Sequence, residues 1–309
     1  MKIIVTHSSP DMDAITSVWL IRKFLPGWQD SVVRFVPAGE GIGNLKSHPS
    51  ADGSNLKNPI EVIGEHEVIH VDTGLGPLDH HQTASDAVCA ASLTWDYIRL
   101  RNQESGIRGV EDKRWQEKEK AISRMVKVVV DTDHFKEVFL KDPTADYHEF
   151  SVASILDGLK LQKPNQDDFY VDFISCCLDA ILHEFENRIW AEEEIAKNGI
   201  KFDTRFGKGI GFETINDSVI KLAQKMGYVI VVRKDPRKGY VRIKALPNKV
   251  QSSDIDLTLA YEKLKKMDPT ATWFLHIGKK MLLNGSVKNP KMRPTRLGLS
   301  DIIKVLEKI

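Results

Sequence analysis

The sequence predicts an α/β protein of two domains: a larger N-terminal domain with a mainly parallel sheet flanked by helices, and a smaller α+β C-terminal domain. Three observations carry this. Near the N-terminus an apolar run, a helical pattern and a second apolar run follow one another, and strand, helix, strand implies a parallel crossover. Beyond residue 200 the pattern changes to short alternating runs, the mark of a different sheet. The charge also changes sign: residues 201–309 hold 23 Lys+Arg against 10 Asp+Glu, a balance of +13, whereas residues 1–200 hold 21 against 33, or −12. With 309 residues, 41% hydrophobic and 28% charged, the chain is long enough for two cores.

Taken in order, "KIIV" reads as a short buried strand and "DAITSVWLIRKFL" as a helix, with Ile15, Val18, Leu20, Ile21, Phe24 and Leu25 at helical spacing. "SVVRFVP" is strand-like. "EVIHVDTG" supplies a further strand with Val68, Ile69 and Val71, and "SDAVCAASLTWDYIRL" opens a helix with Ser85 as its expected cap. A charged helix is expected from about Glu111, with Trp115, Ile122, Met125, Val126 and Val129 on one face. Its end is ambiguous, because the β-branched run Val128-Val129-Val130 also suits a strand; on either reading Asp131 falls where a regular element stops. Gln166 to Ala196 reads as one long helix. The expected division is 1–165 for a cation-binding catalytic domain, 166–199 for a helical connector and 200–309 for a basic substrate-binding domain. In the last, "GKGIGFETI", "YVIVVRK", "YVRIKAL" and "TWFLHI" read as strands, with helices at Asp217–Lys225, Leu257–Lys266 and Ser300–Lys308.

Composition excludes several classes. No stretch of about 18 apolar residues occurs and no basic segment precedes an apolar h-region, so neither a membrane span nor a signal peptide is expected and the cytoplasm is the default. Cys89, Cys176 and Cys177 are too few for a disulfide framework or a thiolate zinc site. Aromatic residues are scattered rather than interleaved with basic ones, which gives little direct support to extended single-strand binding.

The informative residues lie just after the predicted strands: His7, Asp11 and Asp13 in "HSSPDMD", Asp72 in "VDTG", Asp79-His80-His81 in "DHH", and Asp131 after "KVVV". In open α/β sheets the crevice beyond the C-terminal strand ends is where sites form. One or two imidazoles with four carboxylates suit hard-to-borderline divalent ions, Mn²⁺ first and Mg²⁺ second, and two such ions are the natural capacity. Without cations, carboxylates so crowded would repel one another. Singly, His7 reads as a core histidine, Asp11 and Asp13 as helix caps and Asp72 as a turn residue.

The order "HSSPDMDA", "VDTG", "DHH", "VDTD" resembles the DHH phosphoesterase superfamily, and "VRIKALP" with "TWFLHIGKKMLLNGS" is similar to the C-terminal part of its MYG1-like branch. The glycine-rich GGGH loop of superfamily exonucleases is not seen. The resemblance implies a DHH-type N-terminal domain with one ion held by His7, Asp11 and Asp72, and a second by Asp13, Asp72, His80 and Asp131, the last preferred to its neighbours Asp133 and His134, which the spacing leaves open. His81 then faces the substrate phosphate and Asp79 orients a histidine. Two ions activating a shared water for in-line attack on phosphorus is the chemistry this implies.

The acid-free run from Gly278 to Leu299 offers Lys288, Lys291, Arg293 and Arg296 for a phosphate, the arginines first because their donors pair bidentately. Asn284 and Ser286 are candidate neutral donors and His276 a further substrate contact. The implied function is phosphodiester hydrolysis in a cleft between the domains, as a 3′–5′ exonuclease or short-oligonucleotide hydrolase, preferably on RNA, with homo-oligomerisation possible and no membrane partner. The alternatives are a hydrolase of small nucleotides, cyclic dinucleotides or pyrophosphate, and a non-catalytic cation- or nucleotide-binding regulatory module.

Overall fold

A computed structural model describes residues 1–43, 58–104, 113–247, 255–286 and 288–309. The chain forms two compact units, Met1–Glu186 and Asn187–Ile309, dividing inside one long helix. It is a mixed α/β structure with two sheets and, among the described residues, eight α-helices. None of those helices is long and apolar enough to cross a membrane.

Unit 1 carries a four-stranded sheet in the order β2-β1-β4-β3, from β1 (Lys2–His7), β2 (Val32–Val36), β3 (Ile60–Ile63) and β4 (His66–His70). β1 runs parallel to both β2 and β4, and β3 closes one edge antiparallel. The two central strands are buried, Ile3, Ile4, Val5, Val68 and Ile69 being fully enclosed, as expected of continuous apolar runs in a parallel sheet. α1 (Met12–Phe24) is nearly all buried and packs against α2 (Ala90–Glu104) and α3 (Lys113–Asp133). Trp19, Phe24, Trp95 and Trp115 form a chain of edge-on and tilted rings there. Two 3₁₀ turns, α4 (Val152–Gln162) and α5 (Asp167–Lys197) follow. Trp19 Nε1 donates to Asp179 Oδ1 at 2.8 Å, tying α1 to α5.

One expectation changes, one ambiguity is settled and one position goes untested. The helix start expected at about Glu111 lies outside the described residues, which show α3 from Lys113. Val128-Val129-Val130 is helical, not a strand, and the helix runs on to Asp133 because its buried stripe of Ala121, Ile122, Met125, Val126, Val129 and Val130 keeps helical spacing to the end. Ser85 does not cap α2, which starts five residues later; Ser85 Oγ instead accepts from Ala87 N–H in the preceding loop.

Unit 2 holds a six-stranded sheet ordered β5-β6-β7-β8-β10-β9: β5 (Ile200–Thr204), β6 (Gly207–Glu213), β7 (Ile230–Lys234), β8 (Val241–Ala245), β9 (Trp273–Leu275) and β10 (Met281–Asn284). All neighbours are antiparallel except β6 and β7. α7 (Thr258–Met267) and α8 (Leu299–Leu306) cover one face through Ala260, Leu264, Ile302 and Leu306. The other face carries α6 (Ser218–Lys225) and the end of α5, packed on β6 and β7. β3, β5, β10 and α4 were not separable in the sequence. β3 had a signal in retrospect, since "VIGEHEV" places Gly64, with φ +61°, between two alternating runs.

Candidate metal centre

β1 and β4 are parallel neighbours, so the residues that follow them emerge at one edge of the sheet. β1 ends on His7, and Asp72 stands two residues beyond β4. Val71 N–H donates to Val5 C=O at 2.9 Å, which carries the pairing past the strand end. Asp72 then takes φ +54°, a left-handed conformation that a short polar side chain tolerates better than most. Its N–H donates to Leu78 C=O at 3.1 Å, closing the loop that leads into Asp79, His80 and His81.

Asp72 is 3% exposed and lies between two groups. Its Oδ2 is 3.3 Å from His7 Nε2, which is 3.8 Å from Asp11 Oδ2. Its Oδ1 is 3.5 Å from His80 Nδ1 and 3.7 Å from His81 Nδ1. His80 Nδ1 is also 3.4 Å from Asp13 Oδ2, and His80 Nε2 is 3.3 Å from Asp133 Oδ2. Among the described residues, three overlapping sets have ligand atoms close enough to hold cations: His7, Asp11 and Asp72; Asp13, His80 and Asp133; and Asp72, Asp79, His80 and His81.

Several carboxylates are tied to the backbone as well as facing the cluster. Asp11 is the N-cap of α1, its Oδ1 accepting from Ala14 N–H at 3.0 Å while Oδ2 faces His7. Asp13 accepts from Ala90 and Ala91 N–H at 2.7 and 2.6 Å, the first amides of α2. Asp13 thus does for α2 what the sequence assigned to Ser85. Asp79 Oδ2 accepts from Leu75 N–H at 2.8 Å and Oδ1 lies 2.8 Å from His81 Nδ1. On the other ring, His7 Nδ1 donates to Ser8 C=O at 3.0 Å, and Nε2 donates to Asp72 Oδ2 at 3.3 Å unless a cation there takes the place of its proton.

The electrostatics are those of a site built for positive charge. Burial, then the charge of Asp72, holds the Asp13 carboxyl well above the usual carboxylate range. Burial, with Asp11 adding repulsion, raises Asp72, and burial with Asp11 raises Asp133. Burial opposes protonation of His7, but the hydrogen bond to Asp72, the Ser8 carbonyl and the charge of Asp11 push it up to about 9. Asp72 Oδ1 and His80 Nδ1 are buried without a hydrogen-bond partner. An unpartnered buried polar atom is costly, and here an orphaned carboxylate oxygen and an orphaned ring nitrogen face each other at 3.5 Å among crowded acids. Divalent cations fit this donor set: oxygen-rich, with imidazole and no thiolate.

Asp131 is not brought into the cluster. It pairs with Lys127 at 2.6 Å and Lys136 at 3.8 Å and is substantially exposed. The reason is helical geometry, because α3 continues through Asp133 and residues two apart are turned by about 200°. Asp133 takes the place given to Asp131, and the helix length needed to see this was the ambiguity at Val128-Val129-Val130. His134 Nε2 donates to Val88 C=O at 2.8 Å and holds the end of α3 to the loop before α2.

The residues proposed for the substrate lie in unit 2. Arg293, Arg296, Lys288 and Lys291 are exposed. Asn284 is not available to a ligand: it is fully buried, its Nδ2 donating to Thr272 and Arg293 C=O and its Oδ1 accepting from Thr295 N–H. It was spent on shaping the basic segment. Asp268 shares the task, accepting from Arg296 N–H and Thr295 Oγ1. Ser286 is half-buried and forms a bridge with Asn289. Just before it, β10 gives way to Gly285, whose φ is +77° and where a Cβ would stand 2.1 Å from the Tyr240 ring. His276 is exposed in the β9–β10 turn, its Nδ1 accepting from Gly278 N–H at 3.1 Å.

No protein-family model and no curated protein matches the chain. Among solved structures it is similar to a pGpG-specific phosphodiesterase, PggH, from Vibrio cholerae, at 14% identity and a TM-score of 0.25, over 98% of each chain. It is also similar to an uncharacterized protein from Helicobacter pylori G27, at 12% identity and a TM-score of 0.23, over 100% of this chain and 99% of that one.

Proposed function

We propose that unit 1 is a phosphoesterase that needs divalent cations, Mn²⁺ before Mg²⁺, and hydrolyses phosphodiesters, as the resemblance to the DHH superfamily implies. The observation that carries the reading is the position of Asp72: one oxygen faces His7, the other faces His80 and His81, and the latter oxygen is buried without a partner. His7, Asp11 and Asp72 would hold one cation; Asp13, Asp72, His80 and Asp133 would hold the second. Cations there supply charge compensation and lower the pKa of bound water for attack on phosphorus.

The remaining steps belong to the chain's own residues. Asp79 fixes the His81 ring by its 2.8 Å hydrogen bond at Nδ1, and the Asp79 hydrogen bond raises the His81 pKa against the effect of burial. His81 thereby keeps a proton at Nε2 on the exposed side of its ring, where it stabilises a phosphoryl oxygen or protonates the leaving oxygen. Arg293 and Arg296, with Lys288 and Lys291, receive substrate phosphates. The preferred substrate is a short RNA, cleaved from its 3′ end.

The test is turnover of a panel with Mn²⁺: 5′-labelled RNA and DNA oligonucleotides, linear and cyclic dinucleotides, and pyrophosphate. Short RNA cleared faster than the rest supports the reading. No turnover of any member by protein with bound Mn²⁺ sinks the enzyme and leaves a binding module; pyrophosphate alone being cleaved moves the substrate class.

A further inference from the structure

Among the described residues, the face of the unit 2 sheet that carries α6 is covered by an apolar cluster over only part of its width. Among the described residues its apolar cluster draws on β6 and β7, with α5 and α6, and takes nothing from β8, β10 or β9. On those three strands burial alternates strictly, with Val241, Ile243, Leu282, Asn284 and Trp273 enclosed on the far side and Arg242, Lys244, Met281, Leu283 and Phe274 partly or largely exposed on this one.

Cross-strand register sets these side chains in a row. Arg233 stands opposite Arg242, Arg242 opposite Leu283, and Leu283 opposite Phe274. Directly opposed residues share a face. Lys244 lies opposite Met281 in the adjacent row. Phe274 is 49% exposed, an apolar ring at the end of a row whose other end is cationic. Arg233 Nε pairs with Asp217 Oδ1 at 2.7 Å, and Arg242 Nη1 pairs with the other oxygen of the same carboxylate. Arg233 also lies near the buried Asp235 carboxylate, so the charge this face presents comes from Arg242, which shares Asp217 with Arg233, and from Lys244.

We propose that this row is a nucleotide-binding face, on which a base stacks against Phe274 over Leu283 and Met281 while the adjoining phosphate lies on Arg242 and Lys244. Phe274 and Arg242 are two strands apart, about 10 Å at the backbone. Leu283 stands between them in the row, beneath the sugar of a nucleotide laid along it. The inference rests on the phosphodiester reading and names its substrate as a base-bearing strand. It also revises the sequence, in which the aromatic and basic residues of this face stand far apart and suggest no platform.

The test is binding of a fluorescein-labelled short oligoribonucleotide by the full chain with chelator present, read by anisotropy. Base stacking on one ring accounts for roughly a 5- to 150-fold change in affinity, so Phe274→Ala and Phe274→Leu weaken binding within that range and Phe274→Trp restores it. An abasic strand of the same length binds the wild type as weakly as the intact strand binds Phe274→Ala. Arg242→Gln lowers the slope of log affinity against log salt by about 0.7. Equal binding by wild type and folded Phe274→Leu overturns the proposal. So does a wild-type dimer that Phe274→Leu dissociates without changing oligonucleotide affinity, which assigns the face to a second copy. Turnover by the wild-type chain judges the cation site and chelated binding judges the face, so either fails without the other.

Discussion

Exchanging Asp133 and Asp131 separately for Asn tests the assembled centre most sharply. The two residues are alike in type and two positions apart, but their surroundings differ. Asp133 Oδ2 is 3.3 Å from His80 Nε2 within a set that includes Asp13; Asp131 pairs with Lys127 and Lys136 near the surface. Exposed pairs of that kind contribute about 0–1 kcal/mol. Loss of even an outer partner of a metal ligand weakens metal binding about 10- to 100-fold, so loss of a ligand costs at least that. At a Mn²⁺ concentration 100 times the dissociation constant, binding stabilises the fold by about 2.7 kcal/mol. A 100-fold weaker site at the same concentration gives about 0.4 kcal/mol. Urea unfolding with and without Mn²⁺ therefore shows about 2 kcal/mol of the metal-dependent stabilisation, most of the second cation's share, gone in Asp133→Asn and the whole kept to within about 0.5 kcal/mol in Asp131→Asn. The reverse pattern, with Asp131→Asn losing the stabilisation and Asp133→Asn keeping it, refutes the placement of α3 at the centre.

Three further outcomes follow from the same geometry. His81→Ala lowers kcat by about 10²- to 10⁴-fold and Asp79→Asn by about 10- to 100-fold, both with bound Mn²⁺ unchanged by elemental analysis; a matching loss of metal would make them ligands instead. In unit 2, hydrogen bonds from Arg296 N–H, Thr295 and Thr270 hold Asp268 at about 2. Because the folded value lies below the ordinary one of about 4, its stabilisation is present above pH about 4 and disappears as pH falls through about 2. The stability gap between wild type and Asp268→Ala, about 2–3 kcal/mol at neutral pH, therefore closes across that window in urea titrations. Chelation abolishes turnover and Mn²⁺ restores it, while far-UV circular dichroism stays unchanged throughout.

The elements that carry the centre were legible because their signals are local. The enclosed runs of β1 and β4, the spacing of α1 and the order of His7, Asp11, Asp13, Asp72 and the Asp79-His80-His81 run can all be read without tertiary information. What was not legible depended on length or register. Asp133 could be chosen over Asp131 only by knowing that α3 continues through Val130, and β-branched residues there left strand and helix in balance. Ser85 looked like a cap because caps are sought next to the helix they serve, whereas α2 is capped by Asp13, 77 residues away from Ala90. Asn284 looked like an outward donor because nothing local shows that its amide is enclosed by Thr272, Arg293 and Thr295.

The choice between capping and coordination, which single residues of the opening segment pose, dissolves in the structure. A carboxylate has two oxygens and about four acceptor positions. Asp11 gives one oxygen to the N-terminus of α1 and presents the other to His7; Asp13 accepts two amides of α2 and still approaches His80 through Oδ2. The partial positive charge at each helix N-terminus offsets part of the repulsion among the acids. Asp11 and Asp13 are therefore held in register by backbone donors and need no cation to place them. In this respect the centre differs from small zinc domains, where the metal itself organises the fold. A cation entering the site would then cost little rearrangement of α1 and α2.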